Sequence, residues 1–356
     1  MGKTKETLKN LRPVRYAYYR FCGIVKKNQL RANALKVLQE FNIDIPDSGE
    51  KDELVNDMVY MYSHYGYTPE EYLYFNFRNK NMDERLSFVA DWEHLGYTCA
   101  MNDFRNAEIF DNKWKTYNTF KKYYGREVLQ CKGGSDKERF IRFVDAHNRF
   151  IVKPLDLSAG KGIRIIDVST LDVGVHDLYD SFIKAYNNIF VVEELILPDR
   201  SLEKLHPQSV NTIRVPAVRT DDDVILLHPF LRVCQHGNCV DNAGAGGIMC
   251  SIDVETGRIL AAADKKGHRF EVHPDTGEKL VGFVVPRWDE AKEMVRELAA
   301  VVPSNRYTGW DITLTENGWI MIEANRRGQF GGIQTPLQIG FRKELNDVMA
   351  MIGKKY

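Results

Sequence analysis

Gly309-Trp310-Asp311-Ile312-Thr313-Leu314-Thr315-Glu316-Asn317-Gly318-Trp319-Ile320-Met321-Ile322-Glu323-Ala324-Asn325 reads as two apolar strands joined by a tight turn. Side chains alternate along a strand, so Glu323 and Asn325 project from one face. Where Asp311 points depends on the turn. A three-residue loop, Glu316 to Gly318 with Gly318 left-handed, pairs Thr315 with Trp319 and sets Asp311 opposite Glu323 on the same face. A two-residue Asn-Gly loop would put Asp311 on the other face. We take the three-residue loop, because two carboxylates and an amide oxygen converging from paired strands make an oxygen-only site suited to magnesium with substrate phosphates. Ile312, Leu314, Ile320 and Ile322 imply a buried opposite face, so a merely solvated polar face is the weaker reading.

Upstream, Phe150-Ile151-Val152-Lys153-Pro154 is a buried strand ending in a lysine, followed by the loop Ser158-Ala159-Gly160-Lys161-Gly162. Backbone N–H groups of such a loop can close over phosphate oxygens above the lysine. The loop lacks the first glycine and the Ser or Thr of a Walker A motif, and Ile165 stands where a dinucleotide fingerprint needs its third glycine. Val191-Val192-Glu193-Glu194-Leu195-Ile196 is an apolar strand ending in two acids, whose backbone and carboxylates could meet an adenine edge. Arg214 and Arg232 sit on candidate neighbouring strands near the glycine-rich Asp241-Asn242-Ala243-Gly244-Ala245-Gly246-Gly247, an arrangement suited to a transferring phosphoryl group. Beyond Asn325, the chain must pass close to the metal-bound phosphate, since successive Cα atoms are only about 3.8 Å apart. Arg326, Arg327, Gln329 and Gln334 are therefore expected to line the acceptor pocket.

Around these motifs, residues 1–100 form a helical region with a start signal at Thr68-Pro69-Glu70-Glu71. Its tyrosines (Tyr16, Tyr18, Tyr19, Tyr60, Tyr62, Tyr65, Tyr67, Tyr72 and Tyr74) are expected in a helical core rather than along a substrate groove. From about residue 101, β-branched runs alternate with amphipathic segments. Ser135-Asp136-Lys137-Glu138 reads as a capping box opening a helix toward His147. Strands are predicted at 163–168, 189–196, 210–219, 224–234, 247–254, 307–315 and 319–325, and helices at 172–186 and 288–300. The expected fold class is α+β, with two α+β lobes (101–188 and 189–356) behind the helical region.

Equal numbers of basic and acidic residues, 49 each, provide no global field for nucleic acid or an acidic surface, so any anion site is local. Cys22, Cys99, Cys131, Cys234, Cys239 and Cys250 lack the spacing of a disulfide framework, which fits a reducing compartment. Cys234, His236 and Cys239 have no second pair at zinc-site spacing and read as strand packing. Glu6 stands where a myristoylation signal needs Ser or Thr. No run approaches the roughly 20 apolar residues of a membrane span. The expectation is a cytoplasmic protein with small-molecule partners, and neither nucleic acid nor a membrane span.

In their order, these features resemble the ATP-grasp superfamily over residues from about 103 to 340. The wording Asn211-Thr212-Ile213-Arg214, Asp241-Asn242 with Gly246-Gly247, and Glu323-x-Asn325 with Ile333-Gln334 is similar to the sugar-transfer associated ATP-grasp family. The resemblance implies a fold of two lobes gripping ATP. It places Lys113 and Lys153 at the ATP phosphates and adenine pocket, Ser158 to Gly162 as the flap, Glu193, Glu194 and the backbone near Ile196 at adenine, and Asp199 at the ribose. It places Arg214, Arg232 and Asn242 around the γ-phosphate and an acyl phosphate. Asp311, Glu323 and Asn325 become the ligands of magnesium, with manganese as the alternative. One departure is that Arg326-Arg327-Gly328-Gln329 follows Asn325 where relatives often have a small residue and then proline.

The implied reaction is attack of a carboxylate on the γ-phosphate, then displacement of phosphate by an amine. This would be a carbon–nitrogen ligase, acting on a sugar or a precursor of a surface polysaccharide. The alternatives are a kinase on the same fold, with His206 or Asp241 as base, and a nucleotide-binding protein without turnover. Removing Asp311 or Glu323 is expected to abolish turnover with little loss of fold.

Overall fold

The computed structural model describes residues 11–155, 162–235 and 246–356. The N-terminal region is helical as expected, with helices Arg12–Val25, Lys27–Glu40 and Ser48–Tyr65 leading into Pro69–Tyr74. The last begins with the predicted start signal. Thr68 accepts from the Glu71 N–H, Glu71 reaches back to the Thr68 N–H, and Pro69 occupies the first turn, where no donor is needed. Tyr67 and Tyr72 lie in an aromatic core with Phe75, Phe77 and Phe88, whereas Tyr18 and Tyr60 are exposed.

A four-stranded antiparallel sheet follows, built from β1 (Val128–Lys132), β2 (Arg149–Pro154), β3 (Arg164–Asp167) and β4 (Ile189–Glu194), in the order β1-β4-β2-β3. Helices Lys137–Ala146 and Val175–Ala185 cover one face, where Phe140, Phe143 and Phe182 meet Phe150, Val152, Phe190 and Val192. Alternation then turns Ile151 and Lys153 of β2, with Val191 and Glu193 of β4, to the opposite face. The Ser135 capping box does not form. Ser135 donates to the Lys132 carbonyl and Asp136 accepts the Lys132 N–H, so both side chains are bound to the end of β1 and the helix starts at Lys137 without a side-chain cap. A lobe boundary at 188 would detach β4, which lies inside this sheet.

The second sheet has seven strands, β5 (Ile213–Arg219), β6 (Val224–Leu226), β7 (Phe230–Val233), β8 (Ile248–Ile252), β9 (Ile259–Ala263), β10 (Tyr307–Thr315) and β11 (Gly318–Asn325). Its order is β11-β10-β5-β7-β8-β9, with β6 paired to β5. The strand expected at 224–234 is two strands, broken where His228 takes a left-handed conformation before Pro229. The helix Trp288–Val301 supplies Trp288, Ala291, Val295 and Leu298 to a core with Ile213, Val215, Leu231, Val233, Ile312 and Leu314. That parity puts Arg214, Arg232 and Asp311 on the opposite face of the same strands, where Val218, Phe230, Met249 and Tyr307 pack against Phe330 and Ile333.

Two buried amides sew the helical region to this lobe. Asn102 donates to the carbonyls of Tyr307 and Arg326, both at 2.9 Å, and accepts from the Tyr307 N–H. Gln334 donates to the Val89 carbonyl at 3.0 Å and accepts its N–H at 2.7 Å.

Candidate functional site

The β10–β11 hairpin reaches the expected pairing by a different route. Thr315 pairs with Gly318, so the loop is the two residues Glu316 and Asn317. In that register alone Asp311 would face Ile322. A bulge between Asp311 and Ile312 inserts one residue on β11, after which Asp311 opposes Glu323, Trp310 opposes Ala324 and Gly309 opposes Asn325. The bulge thus returns Asp311, Glu323 and Asn325 to one face. Asn325 Nδ2 lies 3.3 Å from Asp311 Oδ2.

Asp311 is buried beneath two arginines. Arg214, its partner on β5, donates from Nε to Oδ1 and from Nη2 to Oδ2 at 2.7 Å, and Arg232 Nη2 of β7 lies 3.1 Å from Oδ2. Gly309 makes room for this, since a Cβ there would meet the Arg214 stem at 3.0 Å. Burial alone would raise the Asp311 carboxyl, but Arg214 and then Arg232 outweigh it and hold the group below its ordinary value. Arg232 is also oriented by the Thr212 hydroxyl, which accepts from its Nε at 2.9 Å. Glu323 is exposed, and no hydrogen bond holds its carboxylate among the described residues.

In the small sheet, Lys153 Nζ lies 2.9 Å from Glu193 Oε2. Glu193 has a second partner that the sequence does not signal by any motif. Arg126, just before β1, donates from Nε and Nη2 to Glu193 at 3.0 and 2.9 Å and from Nη1 to the Met321 carbonyl of β11 at 2.7 Å. One guanidinium therefore ties the small sheet to the strand that carries Glu323. Only its position ahead of an apolar strand, Arg126-Glu127-Val128-Leu129, could have signalled it.

Glu193 is 4% exposed, and its Oε2 holds both Arg126 and Lys153, so one carboxylate oxygen anchors the lysine. Burial would raise its carboxyl, but Lys153 and Arg126 bring it down to about 2. A group depressed in the folded state stabilises the fold fully above its unfolded pKa and loses that contribution as pH falls toward the folded value. The gap from the ordinary 4.5 to about 2 corresponds to roughly 3 kcal/mol at neutral pH. Glu193→Gln should therefore be less stable than the wild type at pH 7, with the difference shrinking as pH falls from about 4.5 to 2. Urea unfolding across that range checks it, and a difference independent of pH would refute the assignment.

The remaining expected site residues divide into several groups. Glu194 accepts the Glu127 N–H at the edge of the small sheet. Ile196 follows β4, and the bridge between Pro198 and Thr315 fastens this crossover to β10. Asp199 caps a short helix, its Oδ1 accepting the Ser201 N–H at 2.9 Å. Lys113 opens the helix Lys113–Phe120, whose N-cap is Asn112. Gly162 is left-handed and its carbonyl accepts from the Tyr186 hydroxyl at 2.8 Å. Ser158, Ala159, Gly160, Lys161 and Asn242 lie outside the described residues, as do Asp241, His236 and Cys239. His206 is buried against the His273 ring, poorly placed for a kinase base.

The acceptor pocket needs two corrections. Arg326 is buried and held by both oxygens of Asp111, at 2.8 and 2.6 Å. Gln334 is fully buried on Val89, and its amide is a structural clamp. Arg327 and Gln329 are exposed.

The donor set fits a hard divalent cation. Two carboxylates and one amide lie in register at adjacent strand positions, one carboxylate is unengaged by described residues, and half a turn of the Asn325 amide would present its oxygen. Phosphate oxygens and water would complete the shell. Arg214 and Arg232 set two cations beside these donors, the charge a polyanion requires.

The profile of the sugar-transfer associated ATP-grasp family matches residues 94–350. Among solved structures, the chain is similar to an ATP-grasp ligase, PsnB, complexed with minimal precursor, at 15% identity and a TM-score of 0.42, covering 70% of this chain and 63% of that one. It is also similar to D-alanine-D-alanine ligase from Helicobacter pylori, at 11% identity and a TM-score of 0.44, with the same coverage of 70% and 63%. A third is N5-carboxyaminoimidazole synthetase from Staphylococcus aureus complexed with ADP, at 12% identity and a TM-score of 0.41, covering 67% and 54%. The chain spans less than two thirds of the length of these proteins. No curated protein matches it.

Proposed function

Because this chain belongs to the sugar-transfer associated ATP-grasp family, we propose that it is an ATP- and magnesium-dependent carboxylate–amine ligase that works through an acyl phosphate. The observation that carries the reading is the register of Asp311 against Glu323, one strand away from Arg214, on a hairpin that Arg126 ties to the Glu193 holding Lys153. A divalent cation held by Asp311, Glu323 and Asn325 would neutralise charge on the phosphates and align the γ-phosphoryl group.

In this reading, Lys153 is fixed by Glu193 and grips the phosphates, with Lys113 and the flap from Ser158 to Gly162 as further contacts. The backbone near Ile196 receives adenine. Arg214, Arg232 and Asn242 stabilise charge spread over the transferring phosphoryl oxygens, and the arginines are pre-oriented by Asp311 and Thr212. A carboxylate oxygen of the substrate bonds to the γ-phosphorus as ADP leaves. An amine then bonds to the acyl carbon, releases phosphate and loses its proton, so no enzyme nucleophile is required. Arg327 and Gln329, exposed beyond Asn325, are the acceptor contacts we retain. The family's description makes a sugar-linked or cell-surface polysaccharide precursor the substrate class to try first.

Lys153→Met is expected to weaken ATP binding by about 10- to 100-fold, the effect of one charge-assisted contact of roughly 1.5–3 kcal/mol. Arg126 still neutralises Glu193 in that variant, and unchanged nucleotide affinity would move the phosphate site elsewhere. The reaction itself is tested by following phosphate release from ATP with pooled carboxylates, amines and sugars. Release that requires both a carboxylate and an amine supports the ligase. A phosphorylated hydroxyl acceptor, or no turnover with any pool, refutes it.

A further inference from the structure

Charge is balanced over the whole chain but not along it. Residues 1–39 hold ten Lys and Arg and a single acid, Glu6. Within this segment the helix Arg12–Val25 is apolar on two sides, one packed inward and one exposed. Its inner side carries Arg12, Tyr19 and Cys22, with Arg12 bound to Glu93 and the Tyr356 carbonyl. Its outer side carries Val14, Ala17, Phe21 and Ile24, spaced at i, i+3, i+7 and i+10 and so on one face, with Tyr18 and Val25 beside them. Phe21 is 58% and Ile24 82% exposed, and among the described residues nothing covers this stripe. Scattered exposed apolar residues are ordinary, but a contiguous aromatic and aliphatic stripe marks a surface that something covers.

The flanking charges select the occupant. Arg20, Lys26 and Lys27 are exposed along or just beyond the stripe. An open cavity of about 440 Å³ beside Tyr18 and Cys22 brings Lys26 and Lys36 together with Asn33 and Tyr62. Neighbouring acids take up Arg31 (Asp52) and Lys36 (Glu40), while Glu50 pairs with Arg78 and Asp57 with Arg85, so among the described residues no salt bridge engages Arg20, Lys26 or Lys27. A second copy of the chain would set cation against cation. A surface of anionic phosphate heads over an apolar layer satisfies both the stripe and the charges.

We propose that the helix Arg12–Val25 lies in the interface of an anionic membrane, with Phe21 and Ile24 inserted and Arg20, Lys26 and Lys27 on the headgroup phosphates. This would be a surface attachment only, since no helix among the described residues is long and apolar enough to cross a membrane. It does not depend on the ligase reading.

The test is co-sedimentation of the full chain with vesicles of phosphatidylcholine, with and without phosphatidylglycerol. Binding is expected only to the mixed vesicles and should weaken with salt, as exposed charge pairs do. Phe21→Asp combined with Ile24→Asp should lower it by about tenfold or more, as should Lys26→Glu with Lys27→Glu. All four positions are exposed, so the variants should keep the wild-type melting temperature, and Val173→Asp, an exposed apolar site elsewhere, should bind as wild type. The proposal is overturned if the mixed vesicles are not bound, or if Phe21→Asp with Ile24→Asp binds undiminished. It is equally overturned if that variant instead dissociates a dimer that ignores vesicles.

Discussion

Glu323→Ala is expected to lower kcat by roughly a thousandfold, about 4 kcal/mol of barrier, without measurable loss of stability. The two halves of that result have separate causes. Glu323 is exposed and no described residue holds its carboxylate, so truncation breaks no native contact and removes one negative charge from beside Asp311. In the proposed reaction, however, it is the carboxylate most open to a metal. Metal-dependent turnover and urea unfolding on the same preparation separate the two effects. A variant turning over near the wild-type rate would remove Glu323 from the metal site.

Asp311→Ala should behave differently, and here the sequence-based expectation of an intact fold is revised. Its carboxylate neutralises Arg214 and Arg232, both largely buried, and its loss leaves two guanidinium groups without their counter-charge in the sheet. Breaking such a pair by removing one partner costs about 3–5 kcal/mol. Asp311→Ala should therefore be inactive and also clearly less stable, whereas Glu323→Ala is inactive only. Asp311→Asn, which keeps an acceptor oxygen for Arg214, should lose less stability than Asp311→Ala. Equal unfolding midpoints for Asp311→Ala and the wild type would show that the arginines do not rely on it.

The contrast shows what the chain discloses before it folds. Strand alternation disclosed that Glu323 and Asn325 share a face, and that Lys153 ends a buried strand, because period-two patterning is local. The facing of Asp311 and Glu323 was reached through a loop that does not exist; a bulge supplies the missing residue, and nothing in Asp311-Ile312 or Ile322 marks it. Partners distant in sequence were the larger omission. Arg126 lies 67 residues from Glu193 and 195 from Met321. Asp111 lies 215 residues from Arg326, and Val89 lies 245 from Gln334. These contacts turn three expected ligand residues, Glu193, Arg326 and Gln334, toward the protein itself. β1 and β9 were also overlooked, since runs such as Val128-Leu129-Gln130-Cys131 and Ile259-Leu260-Ala261-Ala262 are too short to separate from helix by period.

In the proposed reaction, the face shared by Asp311, Glu323 and Asn325 binds ATP through a divalent cation. Calorimetric titration of ATP into the wild type and Glu323→Ala, with magnesium and then with a chelator, tests it most directly. We expect wild-type binding that requires magnesium, and a loss of affinity of about tenfold or more in Glu323→Ala. No ATP binding to the wild type, or equal affinity with magnesium and with the chelator, would contradict it.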